Sequence, residues 1–420
     1  MNTLYFILIC YFICNIFIKY FSWYAFYHEY KKWKNIRTRQ TYNHCYFIIP
    51  VFKEEDIIED TYEYVNYILN KITGLKVIFI GTEREHPNFT IEKLKKLEKN
   101  ERIIILSASK NRKYMAGQLN YAIEYLDTIE KNKLYKLAIY NVDSRPSVSS
   151  IRKNFSILDK YPVVQQYGSY FNNCPMYINS FYKMIYLSTF LWQSSWAKQF
   201  EIRNILWNKV RVFKFFSKFS YIVGHGLFLR RNIFDKTGFF TEKFQNEDME
   251  FSIRLHKNNI PIASGVDFSD SDMPLTLKDY IRQQSVWARG PMMAFKYSTI
   301  ASSFIIPLKL FLHYIYWLTE PIMMLFLFVS SCFLSAYHLL LTAFIFFIYF
   351  YIVLILPNVE QISRIKILLN PIKIYFSFIC FFLIHSIGPI LALKNVFMES
   401  LNLKNEEKFK TPKEKKHEIS

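Results

Sequence analysis

Residues 137–146 read LAIYNVDSRP: the apolar run Leu137-Ala138-Ile139-Tyr140 breaks through Asn141-Val142 into Asp143-Ser144-Arg145-Pro146. An apolar run of this length closed by turn residues predicts a buried strand, with a carboxylate just past its carboxyl end. The pattern recurs upstream. Residues 45–51 form a strand-like run ending in Pro50-Val51-Phe52 and the acidic cluster 53–56. Residues 77–80 end in Gly81, and 103–106 form another short apolar run. Helix-like stretches lie between them, to about Lys71, over 91–100 and over 117–126. Strands alternating with helices predict an α/β domain with a mostly parallel sheet. In such sheets ligands bind at the carboxyl ends of the strands. Residues 50–55, 81–83 and 141–146 all fall there.

Outside this region the chain changes character. Hydrophobic residues make up 51% and aromatics 19% of the 420 residues. Four segments, 4–21, 311–334, 338–356 and 375–393, have the length and composition of membrane spans. The first is not read as a cleaved signal peptide, because no basic residue precedes it and no A-x-A-like site follows. Lys31, Lys32, Lys34, Arg37 and Arg39 follow instead, which predicts an anchor with its amino terminus outside and the next segment cytoplasmic. At the other end the signals conflict. The loop with Arg364, Lys366 and Lys373 and the tail with Lys404, Lys408, Lys410, Lys413, Lys415 and Lys416 both carry an inside signal. A single crossing by 375–393 cannot satisfy both, so either one apolar segment is re-entrant or residues 302–318 partly enter the membrane. Glu406, Glu407, Glu414 and Glu418 dilute the signal of the tail. The expected organisation is an anchor at 1–24, a cytoplasmic domain at 42–300, a membrane region at 301–395 and a charged tail at 396–420.

The net charge of +19 would suit nucleic acid, but no nucleic-acid motif is present. Attraction to anionic lipid headgroups accounts for it more simply. Cys10, Cys14, Cys332 and Cys380 sit in apolar segments, while Cys45 and Cys174 are isolated. That spacing fits neither a metal site nor a disulfide framework, and predicts reduced thiols.

A second informative stretch is QNEDMEFSIRL, residues 245–255. Glu247 and Asp248 head a segment whose apolar positions are Met249, Phe251, Ile253 and Leu255, with Arg254 among them. Acidic residues in a first helical turn are stabilised by the free N–H groups and the macrodipole. Read alone, the pair is a helix cap. Such a carboxylate can also take a proton from a bound hydroxyl.

Taken together, the blocks resemble the family 2 glycosyltransferases, and within them the membrane-embedded, cellulose- and hyaluronan-synthase-like branch. Ile49-Pro50-Val51-Phe52-Lys53-Glu54 looks like the family's first strand and nucleotide-binding turn. Ala116-Gly117-Gln118-Leu119-Asn120-Tyr121-Ala122 looks like its KAGxLNxA helix, and Asn141-Val142-Asp143 like its D-x-D metal motif. Gly224-His225-Gly226, Arg230 and Gly238-Phe239 look like the acceptor-side glycine turn. Asn246-Glu247-Asp248, with Arg254, looks like the T-E-D motif. Gln283-Gln284-Ser285-Val286-Trp287, then Arg289-Gly290, looks like the Q-x-x-R-W motif on an interfacial helix. The resemblance covers about residues 45–295 and the membrane pattern.

The resemblance implies a GT-A-type, Rossmann-like cytoplasmic domain with one amino-terminal and about three carboxyl-terminal transmembrane or interfacial helices. It implies inverting transfer from a nucleotide sugar to a saccharide or lipid-linked acceptor, in surface polysaccharide biosynthesis, at a bacterial-type inner or plasma membrane. Asp248 would be the base, with Glu247 shaping the acceptor site. Pro50, Glu54, Asn120, Asn141, Asp143 and Arg289 would bind the donor, and Gln283, Gln284 and Trp287 the acceptor. Asp143 would hold Mg²⁺ or Mn²⁺. The alternatives are a polyprenyl-phosphate glycosyltransferase and an inactive scaffold of the same fold. Several positions depart from the family. Asn141 replaces an Asp, and Met115 replaces the Lys before Ala-Gly. Val286 replaces the Arg before Trp. Gly81-Thr82-Glu83 stands where an Asp usually reads the uracil base.

Overall fold

The computed structural model describes residues 2–33, 36–38, 41–202, 205, 220–244, 246–297, 300 and 304–401. Lys34, Arg39, Gln245 and the basic and acidic residues of the tail, from Lys404 to Glu418, lie outside the described residues. The described residues fall into two compact units. One holds those of 29–169 and 205–272, the other those of 2–28, 170–202 and 273–401. Thus 170–202 and 273–297, which the sequence boundaries group with the domain at 42–300, cluster with the apolar helices.

The first unit is built on a seven-stranded sheet. In chain order the strands are β1 (Cys45–Pro50), β2 (Leu75–Thr82), β3 (Ile103–Ala108), β4 (Lys136–Ile139), β5 (Val163–Gln165), β6 (Leu227–Arg230) and β7 (Ile262–Ser264). Their spatial order is β3-β2-β1-β4-β6-β5-β7. All pairings are parallel except those of β6, which runs antiparallel to β4 and to β5. This is the mostly parallel α/β fold expected from the sequence.

The central strand shows why it forms. CYFIIP has no polar alternation because both faces of the sheet are covered. Phe47 and Ile49 enter a core with Ile58, Val65, Ile151 and Phe155, from helices Ile58–Lys71 and Val148–Ile157. Tyr46 and Ile48 enter the opposite core with Leu119, Ile123, Phe251 and Leu255, from helices Tyr114–Ile129 and Glu247–Lys257. Successive side chains on a strand point to opposite faces, so one apolar strand feeds two cores. At about 25 cal/mol per Å² of apolar surface, such two-sided burial dominates the stability of the sheet.

The second unit contains four helices long and apolar enough to cross a membrane: Asn2–His28, Ile305–Leu334, Ala336–Ile362 and Pro371–Glu399. The first belongs to a longer helix running to Trp33. Ser335, in extended conformation, separates the second from the third, and its side chain accepts a hydrogen bond from His338 N–H to cap the third. Helix Phe181–Trp196 is exposed at Phe181 and Tyr182 but mostly buried from Met184 to Ser195, and its residues share a core with Phe12, Leu327, Phe346 and Phe382 of the long helices. Helix Leu277–Met292 packs along Pro371–Ser400, with the backbones so close at Gly388 that a Cβ there would lie 2.6 Å from Gln284 Cβ. The last apolar segment is one continuous helix, Pro371–Ser400.

Candidate active site

β4 ends at Ile139 and the chain turns through Asn141, Val142 and Asp143, closed by Ser144 N–H donating to Asn141 O at 3.0 Å. Arg145 fixes this turn. Its guanidinium donates to Val142 O (2.7 Å), Ser144 O (3.0 Å) and Thr61 Oγ1 (3.1 Å), and lies over the Tyr64 ring. Burial pulls the Arg145 guanidinium below its ordinary range, partly offset by the nearby carboxylate of Asp143. Asp143 is buried, while Asn141 is half-buried.

β6 runs antiparallel to β4 with Leu227 opposite Ile139, so the entrance to β6 lies at the same sheet edge as the Asp143 turn. That entrance is the 222–226 turn, and buried amides organise it. Gln165, at the end of β5, accepts from Val223 N–H (3.0 Å) and donates to His225 O (2.8 Å). Ile222 N–H donates to Ser252 Oγ (2.9 Å), and Ser252 donates to Asp248 O (2.7 Å). Gly226 has φ +66°, and a Cβ there would lie 2.3 Å from Gln166 O, so only glycine fits.

Gly224 has three side chains close to its Cα. A Cβ added to it would lie 3.1 Å from Met115 Cε, 3.7 Å from Asp248 Oδ2 and 4.0 Å from Glu247 Oε1. Three side chains thus converge on one glycine. Met249 N–H donates to Asp248 Oδ1 at 2.8 Å. Desolvation by burial raises the Asp248 carboxyl above its ordinary value, opposed by the N–H groups of Met249 and Gly224. A carboxylate so placed is a stronger base than one in water. Glu247 is buried beside it.

At the β1 end, Lys53 takes φ +54°, and its N–H donates to Glu85 Oε2 (2.7 Å). The buried Glu54 donates its N–H to Thr90 Oγ1 (2.9 Å), and Thr90 donates to Glu85 Oε1 from N–H (3.1 Å) and Oγ1 (2.6 Å). Gln118 Nε2 bridges Val51 O and Ile80 O, each at 2.8 Å, locking the ends of β1 and β2. Asn120 spends its amide on Phe240, donating to its O (2.8 Å) and accepting from its N–H (3.0 Å). It also donates to Glu242 Oε1 (3.3 Å), so its amide is engaged with the 240–242 segment. Arg254 ties down the adjacent turn, donating to the carbonyls of Thr237 (2.5 Å) and Phe239 (2.8 Å) and pairing with Glu250.

Gln283, Gln284, Trp287 and Arg289 all lie on helix Leu277–Met292, in the other unit. Gln284 is buried, and Gln283 Oε1 and Gln284 Nε2 are enclosed without a hydrogen-bond partner. Arg289 makes a two-pronged ion pair with Glu399, both bonds at 2.7 Å. Tyr280 OH and Trp317 Nε1 flank His385 at 2.7 and 2.6 Å, joining this helix to two of the long ones. An indole N–H only donates, so His385 Nε2 accepts, and the proton of the neutral ring is on Nδ1.

Among the described residues no group of three or more His, Cys, Asp or Glu could hold a metal ion. The oxygen donors at the β4 turn are the Asp143 carboxylate and the Asn141 amide. Hard divalent cations are commonly held by one or two carboxylates plus substrate phosphates, so this donor set fits a cation completed by a diphosphate.

Residues 172–359 match the family model described as glycosyl transferase family group 2. The match takes in Gly224, Glu247, Asp248, Gln283, Gln284, Trp287 and Arg289. Among solved structures, a mannosyltransferase from Pyrobaculum calidifontis in complex with GDP-Man and Mn²⁺ is similar at 10% identity and TM-score 0.46, covering 91% of this chain and 99% of its own. S. aureus TarS 1-349 in complex with UDP-GlcNAc is similar at 11% and 0.35, covering 80% and 90%. Glucosyl-3-phosphoglycerate synthase from Mycobacterium tuberculosis, with Mn²⁺, UDP and phosphoglyceric acid, is similar at 12% and 0.36, covering 62% and 80%. No curated protein matches the chain.

Sequence reading missed the side chains that support the site rather than compose it. Gln165, Ser252, Glu85 and Arg145 are polar residues enclosed at strand ends or in turns, and only their neighbours in the fold give them meaning. Arg145 alone had a visible cue, its place in the Asp-Ser-Arg-Pro turn.

Proposed function

We propose that this chain is a membrane-bound, inverting glycosyltransferase that moves a sugar from a nucleotide-sugar donor to a saccharide or lipid-linked acceptor. The observation that carries the reading is the shared sheet edge. Asp143 follows the end of β4, and Gly224, with Asp248 near it, precedes the start of the antiparallel β6, which supports a reading in which Asp143 serves the diphosphate and Asp248 the acceptor hydroxyl. The match of residues 172–359 to the group 2 glycosyl transferases supports it. The glutamines and Trp287 favour the membrane-embedded branch, acting on amphiphilic material such as surface polysaccharide. The catalytic unit faces the cytoplasm in this reading.

In the proposed reaction Asp248 takes the proton of the acceptor hydroxyl. The hydroxyl oxygen forms a bond to the anomeric carbon as the bond from that carbon to the diphosphate oxygen breaks, and the nucleoside diphosphate leaves from the opposite face. The N–H groups of Met249 and Gly224 keep the carboxylate oriented. Glu247 borders the acceptor, Pro50 and Glu54 the nucleoside, and Asn120 positions the 240 turn. Mg²⁺ or Mn²⁺, when bound by Asp143 and Asn141, would neutralise charge on the leaving diphosphate. Arg289 is paired with Glu399, so it would reach a diphosphate only by exchanging that partner. Calorimetry of the detergent-solubilised chain with nucleoside diphosphates and Mn²⁺ tests the donor side. Binding that Asp143→Asn weakens at least about tenfold is expected. Absence of binding by any nucleoside diphosphate would favour the inactive scaffold.

A further inference from the structure

The donor site contains a guanidinium that the proposed chemistry does not use. Arg84 follows the end of β2 and is exposed. Its Nε donates to Thr82 Oγ1 at 3.3 Å, and Nη2 donates to Tyr114 O at 3.2 Å. These two bonds pin the side edge of the planar fork. Nη1 and the remaining hydrogen of Nη2 form its end edge, two parallel donors that stay open. Thr82 itself is buried and offers the solvent nothing. Glu83, the neighbouring carboxylate, accepts from Lys110 N–H at 3.3 Å, beyond the outer strand β3.

The sheet places this fork at the nucleoside end of the donor. The reacting centre lies between β4 and β6, where Asp143 and Asp248 stand. From there the acceptor side extends past β6, and the nucleoside must run the other way, over β1 and then β2. Strands are spaced about 4.8 Å apart, so β2 lies roughly 10 Å from β4, about the reach from a diphosphate to its base. On that spacing Arg84 stands toward the base end of the donor rather than beside Asp143.

We propose that the open edge of Arg84 reads the base of the donor, and that the base is guanine. Two parallel donors match the O6 and N7 acceptors of guanine, the commonest bidentate Arg–base contact. Adenine presents a donor beside N7 and mismatches one arm. Uracil offers carbonyl oxygens but no such adjacent pair of acceptors. The inference rests on the donor site proposed above and names its substrate class as a guanosine-diphosphate sugar.

The test is calorimetry on the full-length chain in detergent with Mn²⁺, comparing GDP, 7-deaza-GDP (which lacks N7), ADP, UDP and inorganic pyrophosphate, for the natural protein and Arg84→Ala. The proposal expects GDP to bind about tenfold or more tighter than UDP, ADP or 7-deaza-GDP, and Arg84→Ala to erase that preference while leaving pyrophosphate unchanged. It is overturned if UDP or ADP binds as tightly as GDP. It is overturned too if Arg84→Ala weakens every ligand alike, pyrophosphate included, because the fork would then face phosphate. In both outcomes the donor site itself survives. If no nucleoside diphosphate binds, the donor site and the base assignment fail together.

Discussion

At the scale of single residues, Asp248 carries the proposed proton transfer. Desolvation raises its carboxyl, so the folded state holds that proton more tightly than the unfolded chain does. The proposed reaction needs the carboxylate, so the acidic limb of kcat/KM is expected above the ordinary range of an aspartate, and a pH–rate profile checks this. The same shift means that ionising Asp248 costs folding stability as pH rises. Asp248→Asn is therefore expected to match or exceed the natural Tm at neutral pH while losing transfer, which thermal unfolding alongside assays would establish. A residue that merely capped its helix would lower Tm when replaced. Gly226 makes the opposite case. At φ +66°, with Gln166 O in the way, Gly226→Ala is expected to cost about 2 kcal/mol or more, seen as a lower Tm.

At the scale of elements, the site depends on how β6 and its flanks are anchored. Arg231, just past β6, pairs in two-pronged fashion with Asp127 of helix Tyr114–Ile129 (2.7 and 2.5 Å) and with Asp235 (2.8 Å). Burial works to raise the Asp127 carboxyl, but the Arg231 and Tyr135 hydrogen bonds win and lower it. Its stabilisation is therefore present above the ordinary carboxylate range and lost as pH falls through the depressed value. Asp127→Asn leaves the enclosed Arg231 guanidinium with the exposed Asp235 as its remaining charged partner and is expected to cost about 3 kcal/mol, measurable by thermal melts. Its effect on stability should shrink in acid. The elements themselves were largely legible in the sequence. The strand at 45–50 and the turn after Ile139 announce themselves by continuous apolar runs that stop at acidic or glycine-containing segments. The order in space was not legible, because β6 enters antiparallel after a long excursion. Nor were Gln165, Ser252 and Glu85, whose partners are distant in sequence.

At the scale of the whole molecule, the four long apolar helices were visible from composition, but their polar interior was not. Glu320 is 2% exposed among apolar helices and accepts hydrogen bonds from Tyr316 (2.6 Å) and Tyr349. Lys19 Nζ stands 3.9 Å from it and over the Trp192 ring. Charges enclosed this way are costly unless paired. Lys19→Met is expected to lower the Tm of the detergent-solubilised chain, and Lys19→Met with Glu320→Gln to lower it by less than the sum of the two, which a double-mutant cycle would read. Sugar transfer is tested by release of nucleoside diphosphate from a panel of nucleotide sugars, with a saccharide or lipid-linked acceptor and Mn²⁺, by the natural chain and by Asp248→Asn. Turnover by the natural chain is expected, with a loss of about 10² to 10⁴ in kcat for Asp248→Asn and donor affinity retained. Equal turnover by the two proteins would contradict this role of Asp248.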